Sequence, residues 1–196
     1  MQNGVKKLYE KIQQTLISLI PENWKSIYLY ASVFNGKNGE MYFYYYPKKI
    51  IKSNPINCYE VPNKFGIDEY KYNNRIKKLY SYIKALNDFA NPKWTNLTII
   101  IENNTFTVKY YFNDLINSPY NDEQRRIIWS YKYLHTPIES LSIKDRALIE
   151  TYNEKARPLI YTEHFYPYKK DEQKKEKTEE PGDDNNRTTI NPILKY

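Results

Sequence analysis

Apolar residues recur every three or four positions in the first twenty residues of the chain. This spacing, with lysines between the apolar positions, predicts an amphipathic helix over residues 5–20 that ends at Pro21. Two aromatic, β-prone runs follow, Trp24–Phe34 and Met41–Tyr46, and a loop rich in Gly and Asn separates them. These runs predict a β-hairpin, and a third short strand is expected near Cys58–Val61.

A long helical pattern begins after Asp68, a residue type that commonly caps the first turn of a helix. The apolar positions of one helix face are Tyr72, Ile76, Leu79, Ile83 and Leu86. We expect Asn91-Pro92 to end this helix. Two strands are predicted next, Trp94–Glu102 and Phe106–Phe112, because the turn residues Asn103-Asn104 separate two β-prone runs.

Two capping signals predict the last helices. Asn121 and Gln124 have the spacing of a capping box and open a helix to about Leu134, and Ser142 and Asp145 open another. The element order is therefore α-β-β-β-α-β-β-α-α. Two hairpins without alternating βαβ units favour an α+β fold, with an antiparallel sheet of about five strands packed with helices.

The charges divide the chain into a basic domain and a neutral tail. We expect one domain over residues 1–158 and a mixed-charge tail over residues 159–196. The segment Lys169–Asn186 contains Pro, Gly and many charges but no aliphatic residue, a composition typical of disorder. From Lys169 onward seven positive residues balance seven negative ones, so residues 1–168 carry the whole net charge of +7.

Motifs for catalysis or cofactor binding do not occur in the sequence. The five glycines lack a phosphate-binding spacing, and His135 and His164 lack partners at the spacing of metal ligands. Cys58 is the single cysteine and is expected to be a small buried residue. We therefore predict that the chain is not an enzyme and binds no cofactor or metal.

The expected location is the cytoplasm. The N-terminal residues lack the basic-then-apolar layout of a signal peptide, and no apolar run approaches the roughly 20 residues of a membrane helix. We therefore expect no membrane partner.

Tyrosine is the unusual residue, with 22 in the chain. Strand alternation places Tyr28 and Tyr30 on one face of the sheet and the aliphatic residues beside them on the other. The aliphatic face is the expected core, and the tyrosine face is then half-exposed unless helices cover both faces. Half-exposed tyrosines favour a protein-binding surface, because the ring supplies contact area and the hydroxyl a hydrogen bond. The alternative is that they pack under a helix.

A basic domain with aromatic strands is also compatible with nucleic-acid binding, since bases stack on aromatic rings. Four basic residues, however, lie on the second predicted helix and not between the strand tyrosines: Arg75, Lys77, Lys78 and Lys84. A basic aromatic nucleic-acid-binding domain is therefore the second hypothesis, after a protein-binding module.

Four strings of the sequence together resemble a known family. They are Ile20-Pro-x-x-Trp-x-x-Ile-Tyr-Leu-Tyr-Ala31, Tyr42-Phe-Tyr-Tyr-Tyr-Pro47, Trp94-Thr-Asn-Leu-Thr98 and Gln124-Arg-Arg-Ile-Ile-Trp-x-Tyr-Lys-Tyr-Leu134. Their order and spacing over about residues 5–157 are similar to the YezG/EsaG-like antitoxins, the immunity proteins of type VII secretion toxins. The resemblance implies a cytoplasmic α+β protein that binds and inhibits a cognate toxin, often a nuclease, and has no catalytic residues.

The basic charge indicates how such a nuclease is inhibited. A DNA mimic should be strongly acidic, so we expect a packed interface. The acidic patch Glu179–Asp184 is a possible plug for a nuclease site, but a solvated linker is favoured. Tyr44 and Trp129 are expected to contribute most to binding, and Trp24 and Trp94 to the core. The interface candidates are Tyr28, Tyr30, Tyr42, Tyr44, Tyr46, Arg125, Arg126, Trp129, Tyr131 and Tyr133.

Overall fold

Six strands form one antiparallel sheet that carries helices on both faces. The structure, a computed structural model, describes residues 2–33, 39–48, 54–155 and 160–165. The strands lie in the order β3-β2-β1-β4-β5-β6 across the sheet. In chain order the elements are α1 (Gln2–Ser18), β1 (Trp24–Ser32), β2 (Met41–Pro47), β3 (Ile56–Asn57), α2 (Val61–Phe65), α3 (Glu69–Phe89), β4 (Asn96–Glu102), β5 (Thr105–Tyr111), α4 (Asp122–Leu134), α5 (Ile143–Lys155) and β6 (Ile160–Phe165).

The predicted α+β class and antiparallel sheet are confirmed, and so are the local signals for turns and helix starts. The Asp68 side chain accepts a hydrogen bond from a backbone N–H of the first turn of α3. Asn121 and Gln124 form both hydrogen bonds of a capping box at α4. Asn103 and Asn104 have φ angles of 49° and 61°, a left-handed conformation that asparagine tolerates in a tight hairpin turn.

The third strand does not lie where the sequence predicts it. Residues Cys58–Glu60 form a 3₁₀ turn and Val61 begins α2, so the strand expected at Cys58–Val61 is the shorter β3. The Asn57 side chain accepts a hydrogen bond from the Tyr59 backbone N–H, and Pro62 lies in the first turn of α2. Both features favour a helical start over a strand.

The sixth strand has no counterpart in the sequence analysis, which places the end of the domain at residue 158. Residues of β6 pair with β5 in an antiparallel register that sets Glu163 opposite Val108. The sheet therefore extends into the predicted tail, whose residues 166–196 lie outside those described. Six residues of mixed polarity give no clear strand signal, and the free edge of β5 determines their conformation.

The first core lies between the sheet and the layer formed by α1 and α3. The aliphatic face of β1, with Ile27 and Leu29, is fully buried there, as are Leu16 of α1 and Leu79 of α3. All five apolar positions predicted for α3 are buried. Trp94 is buried in this core, as expected, and Trp24 packs half-buried against it.

A second core lies on the opposite face, between the sheet and α4. It contains Tyr28, Tyr30 and Tyr42 from the hairpin, packed against Trp129 and Tyr133 of α4. Helices cover both faces of the sheet, so Tyr28, Tyr30 and Tyr42 follow the alternative expected from the sequence, that the tyrosines pack under a helix. Trp129, expected at a partner surface, is 5% exposed, and its Nε1 donates to Thr98 Oγ1 at 3.0 Å.

Removing the Trp129 ring should loosen α4 from the sheet. We expect Trp129→Ala to lower the free energy of unfolding by about 3–5 kcal/mol, because it leaves a large cavity in the second core. Trp129→Phe keeps a ring and loses the hydrogen bond to Thr98, so its loss should be smaller. Urea unfolding followed by circular dichroism measures both, and an unchanged Trp129→Ala variant would contradict this account of the second core.

The surroundings of Glu163 on β6 predict that the stability of the fold depends on pH. The Tyr9 hydroxyl of α1 donates to the Glu163 carboxylate and lies 2.6 Å from the Tyr110 hydroxyl. Burial raises the pKa of Glu163 above 4.5, against the opposing effect of the Tyr9 hydrogen bond. The folded state thus binds this proton more tightly than the unfolded state, so stability falls as the pH rises through the folded pKa.

The matching variant is Glu163→Gln, which cannot ionise. We expect the free energy of unfolding of the unaltered chain, relative to Glu163→Gln, to be highest near pH 4 and to decrease toward pH 7. Denaturant unfolding of both proteins across this range measures the difference. A constant difference would show that Glu163 does not titrate differently in the two states.

Candidate partner-binding face

Five tyrosines from two adjacent strands form a continuous ladder on the face of the sheet opposite α1 and α3. The ladder consists of Tyr28 and Tyr30 on β1 and Tyr42, Tyr44 and Tyr46 on β2. Tyr28 lies opposite Tyr44 and Tyr30 opposite Tyr42, because strand alternation places every second residue on this face. The Tyr30 and Tyr42 rings stack with centroids 4.6 Å apart, and Tyr28 meets Tyr46 edge to face at 6.0 Å.

Helix α4 covers the ladder unequally. Tyr28, Tyr30 and Tyr42 are buried, whereas Tyr44 and Tyr46 are only partly buried. A helix is about 10 Å wide, and six strands span about 24 Å, so one helix cannot cover the whole face. Of the five ladder residues, the two that remain partly accessible, Tyr44 and Tyr46, lie on β2.

Hydrogen bonds fix most of the ladder hydroxyls. Tyr28 Oη donates to the Glu102 carboxylate at 3.0 Å, and Tyr46 Oη donates to the Leu134 carbonyl at 2.6 Å. Burial raises the pKa of Tyr28 and of Tyr30 to about 12, so both rings are neutral at physiological pH. The Tyr46 bond joins α4 to the sheet, and the Tyr28 bond joins β1 to β4.

Tyr42 differs from these residues because its hydroxyl is buried and has no hydrogen-bond partner among the described residues. Its side chain lines an open cavity of about 380 Å³ between the sheet edge and α4, here called the β2–α4 cavity. The remaining lining residues are Glu40, Met41, Asn57, Tyr59 and Arg126.

Arg126 is the cationic group of this cavity. Its Nη2 donates to Tyr44 Oη at 2.7 Å, and its guanidinium lies 5.5 Å from the centre of the Tyr42 ring. The hydrogen bond to Tyr44 raises the pKa of Arg126, so the side chain is charged. No ion pair joins Arg126 to an acidic residue in the described part of the chain.

Part of this cavity could not be predicted from the sequence, because the β-prone residues 58–61 predict a strand and form a turn and a helix start instead. Tyr59 is 43% exposed, and its hydroxyl donates to the Met41 carbonyl at 2.7 Å. The Tyr59 ring packs edge to face on Phe43, with centroids 5.6 Å apart. The capping role of Asn57 was the available signal that this segment turns back onto the edge of β2.

The other predicted interface residues do not gather at one site. Arg125 pairs with Asp122 and donates to the Tyr120 carbonyl within its own segment. Tyr131 lines a second open cavity, of about 410 Å³, together with His135 and the residues after α4. Tyr133 is buried, and its hydroxyl contacts that of Tyr111. Of the predicted interface residues, Tyr42 and Arg126 line the β2–α4 cavity, Tyr44 is bonded to Arg126, and Tyr46 is bonded to the Leu134 carbonyl at the other end of α4.

Charge is distributed unevenly between the two helical layers. Helices α1 and α3 carry eight basic residues and three acidic ones, a net charge of +5. Helix α4 has three basic and two acidic residues, and α5 has three of each, so this layer carries only +1. The basic excess therefore lies on the opposite side of the sheet from the tyrosine ladder.

The described residues offer few side chains that could bind a metal ion or act as a nucleophile. They contain no cluster of three or more His, Cys, Asp or Glu that could hold a metal ion. Cys58 is fully buried, and burial raises the pKa of its thiol. None of the helices in the described ranges is long and apolar enough to cross a membrane.

Comparison with known proteins identifies the family of this chain. A family model described as "Immunity protein YezG-like" matches residues 5–146, which extend from α1 into α5 and leave out β6. Immunity protein YezG of Bacillus spizizenii is 29% identical over 143 residues, which is 70% of this chain and 87% of that protein. Immunity protein YezG of Bacillus subtilis is 25% identical over 132 residues, covering 65% and 85% of the two chains.

A staphylococcal protein is also similar. The type VII secretion system protein EsaG of Staphylococcus aureus is 24% identical over 132 residues, or 64% of this chain and 78% of that protein. The family match covers more than two thirds of the chain and includes all the strings on which the resemblance in the sequence depends. The chain belongs to the YezG-like immunity protein family, whose members are inhibitors and not enzymes.

Proposed function

We propose that this protein binds a cognate type VII-secreted toxin, a nuclease, in the cytoplasm of the producing cell and keeps it inactive. The match of the family model over residues 5–146 carries this proposal. The relatives are named as immunity proteins or as a type VII secretion system protein, which supports a secreted toxin as the partner.

The accessible end of the tyrosine ladder is the proposed contact surface. Tyr44 and Tyr46 are half-buried there, Tyr59 is 43% exposed, and the exposed Arg126 donates to Tyr44 Oη. Aromatic residues and arginine are enriched at the energetic centres of protein interfaces. The surface also lies on a layer of low net charge, which allows close packing without much charge to desolvate.

The charge distribution favours inhibition by packing over imitation of DNA. A DNA-binding nuclease site attracts phosphates, and a mimic of its substrate would need a dense acidic surface. The α4–α5 layer is nearly neutral, and the opposite layer is basic. We therefore propose that the toxin is held by shape and by individual hydrogen bonds, with its active site blocked or distorted.

The second hypothesis, binding of nucleic acid, gains no support from the geometry. Three of the five ladder rings are buried, and most of the excess positive charge of the helices lies across the sheet on α1 and α3. Stacked bases would need rings and phosphate-binding cations on the same surface. Tight binding of single- or double-stranded DNA with a steep salt dependence would favour this hypothesis over ours.

Co-expression with the toxin gene of the same locus tests the proposed function. We expect the toxin alone to arrest growth and this chain to restore it, because the complex hides the toxin's activity. Purified toxin should cleave DNA and lose that activity when one equivalent of this protein is added. Persistent growth arrest with both proteins folded would contradict the proposal. A toxin that is inhibited but cleaves no nucleic acid would contradict only the identification of the toxin as a nuclease.

Tyr44 offers a direct test of the contact surface. We expect Tyr44→Ala to weaken toxin binding by about 2–4 kcal/mol, or roughly 30- to 1000-fold, because a central interface ring is lost. Tyr70→Ala is the matched control, since Tyr70 is 77% exposed at the start of α3 on the opposite layer. Calorimetric titration of both folded variants measures affinity, and equal losses at the two positions would contradict the placement of this surface.

A further inference from the structure

We propose that Lys109 of β5 and Lys132 of α4 form a further contact with the toxin and bind one of its acidic side chains between them. This inference rests on the proposed function and names the chemistry of one additional contact. The two lysines come from different elements and meet over one ring, because their Nζ atoms lie 5.3 Å and 5.4 Å from the centre of Tyr133. Lys132 Nζ also lies 5.7 Å from the centre of the Tyr111 ring.

The charge of this lysine pair is not neutralised by the surrounding protein. Among the described residues neither lysine forms an ion pair with a carboxylate. Burial, and then the charge of Lys109, lower the pKa of Lys132. Two ammonium groups that are held near each other repel, so an anion placed between them would stabilise both.

A partner can reach the lysine pair from the solvent. Both lysines are partly exposed, whereas the Tyr111 and Tyr133 rings beneath them are buried. Lys132 also lines the open cavity of about 410 Å³ at the end of α4. The described residues of that lining include no acidic side chain, whereas Glu40 lines the β2–α4 cavity. An incoming carboxylate would therefore meet positive charge at the pair and no negative charge in the adjoining wall.

The position of the pair favours the toxin as the source of the carboxylate. Arg126, at the contact surface proposed above, lies over a ring of β2, whereas Lys132 lies over a ring of β5. The two cations are therefore on opposite flanks of α4. A helix is about 10 Å wide, and a protein interface buries about 800 Å² on each partner, so one toxin seated over α4 can reach both flanks.

Nucleic acid fits the lysine pair less well. The two rings next to the lysines, Tyr111 and Tyr133, are each only 6% exposed. They offer no open face on which bases could stack, so a bound strand would gain only contacts to its phosphates. An acidic side chain needs nothing more than the two ammonium groups, which donate charge-assisted hydrogen bonds to it.

The test uses the full chain and a catalytically inactive form of the toxin domain from the same locus. We expect Lys109→Gln and Lys132→Gln each to weaken binding by about tenfold, because each removes a charged hydrogen-bond donor to the guest. Each change also removes repulsion within the pair, so the thermal midpoint of the free protein should stay unchanged or rise. Lys84→Gln is the charge-matched control, because Lys84 is exposed on α3 in the opposite layer, and it should leave the affinity unchanged.

Carbodiimide coupling identifies the partner of the lysines directly. The reagent joins an amine to a neighbouring carboxylate as an amide, with the overall loss of one water, and leaves no spacer. We expect mass spectrometry of the coupled complex to find Lys109 or Lys132 joined to an Asp or Glu of the toxin. Changing that toxin residue to Lys should weaken binding, and Lys132→Glu should restore it.

The outcomes separate the two levels of the proposal. Toxin that fails to bind the unaltered chain overturns the proposed function and this inference with it. Normal binding by the unaltered chain, with both lysine variants also unchanged, overturns the lysine contact alone. So does coupling of the lysines in the complex only to the acidic patch Glu179–Asp184, which would make the chain itself the source of the carboxylate. Lysine variants that lose affinity for DNA but not for the toxin would identify a phosphate site and overturn the inference as well.

Discussion

The contact between Trp129 and the tyrosine ladder is the interaction on which the second side of this protein depends. The indole packs against Tyr30, Tyr42 and Tyr44 and donates its N–H to Thr98 on β4. It therefore joins β2, β1 and β4 to α4 in one place. This contact stabilises the packing of α4 on a sheet face that is rich in hydroxyl groups.

A core made of tyrosines has a consequence for the surface beside it. Each buried ring brings a hydroxyl that must find a partner, and most partners come from α4 or the neighbouring strands. On β2, Tyr44 bonds Arg126 of α4, whereas the buried Tyr42 hydroxyl has no partner among the described residues. The unpartnered hydroxyl of the second core thus belongs to a residue that also lines the β2–α4 cavity.

The two helical layers give the protein two different surfaces. Helices α1 and α3 bury aliphatic residues beneath and expose lysines, while α4 and α5 cover an aromatic core and carry almost no net charge. For an immunity protein this separation is useful, because the basic excess can keep the protein soluble without opposing the contact. It also explains why the total charge of the chain is a poor guide to the charge of the proposed interface.

Local features could be predicted well from the sequence. Helix caps at Asp68 and Asn121, the Asn103-Asn104 turn and the alternation of Tyr28 with Ile27 depend on neighbours a few residues apart. The family strings could also be recognised in the chain alone, since they need only order and spacing. Which tyrosines belong to the proposed interface was harder to predict, because Tyr44 and Tyr42 have the same side chain and lie on the same face of β2.

Only the tertiary structure determined which parts of the two sheet faces remain accessible to solvent. Strand alternation separates the tyrosines from the aliphatic residues, but it carries no information about a helix that arrives more than eighty residues later. Docking of α4 buries Tyr42 and leaves Tyr44 accessible, and pairing with β5 turns residues 160–165 into a strand. Both outcomes depend on contacts between segments distant along the chain, so the sequence determined the pattern of each element and the packing determined its exposure.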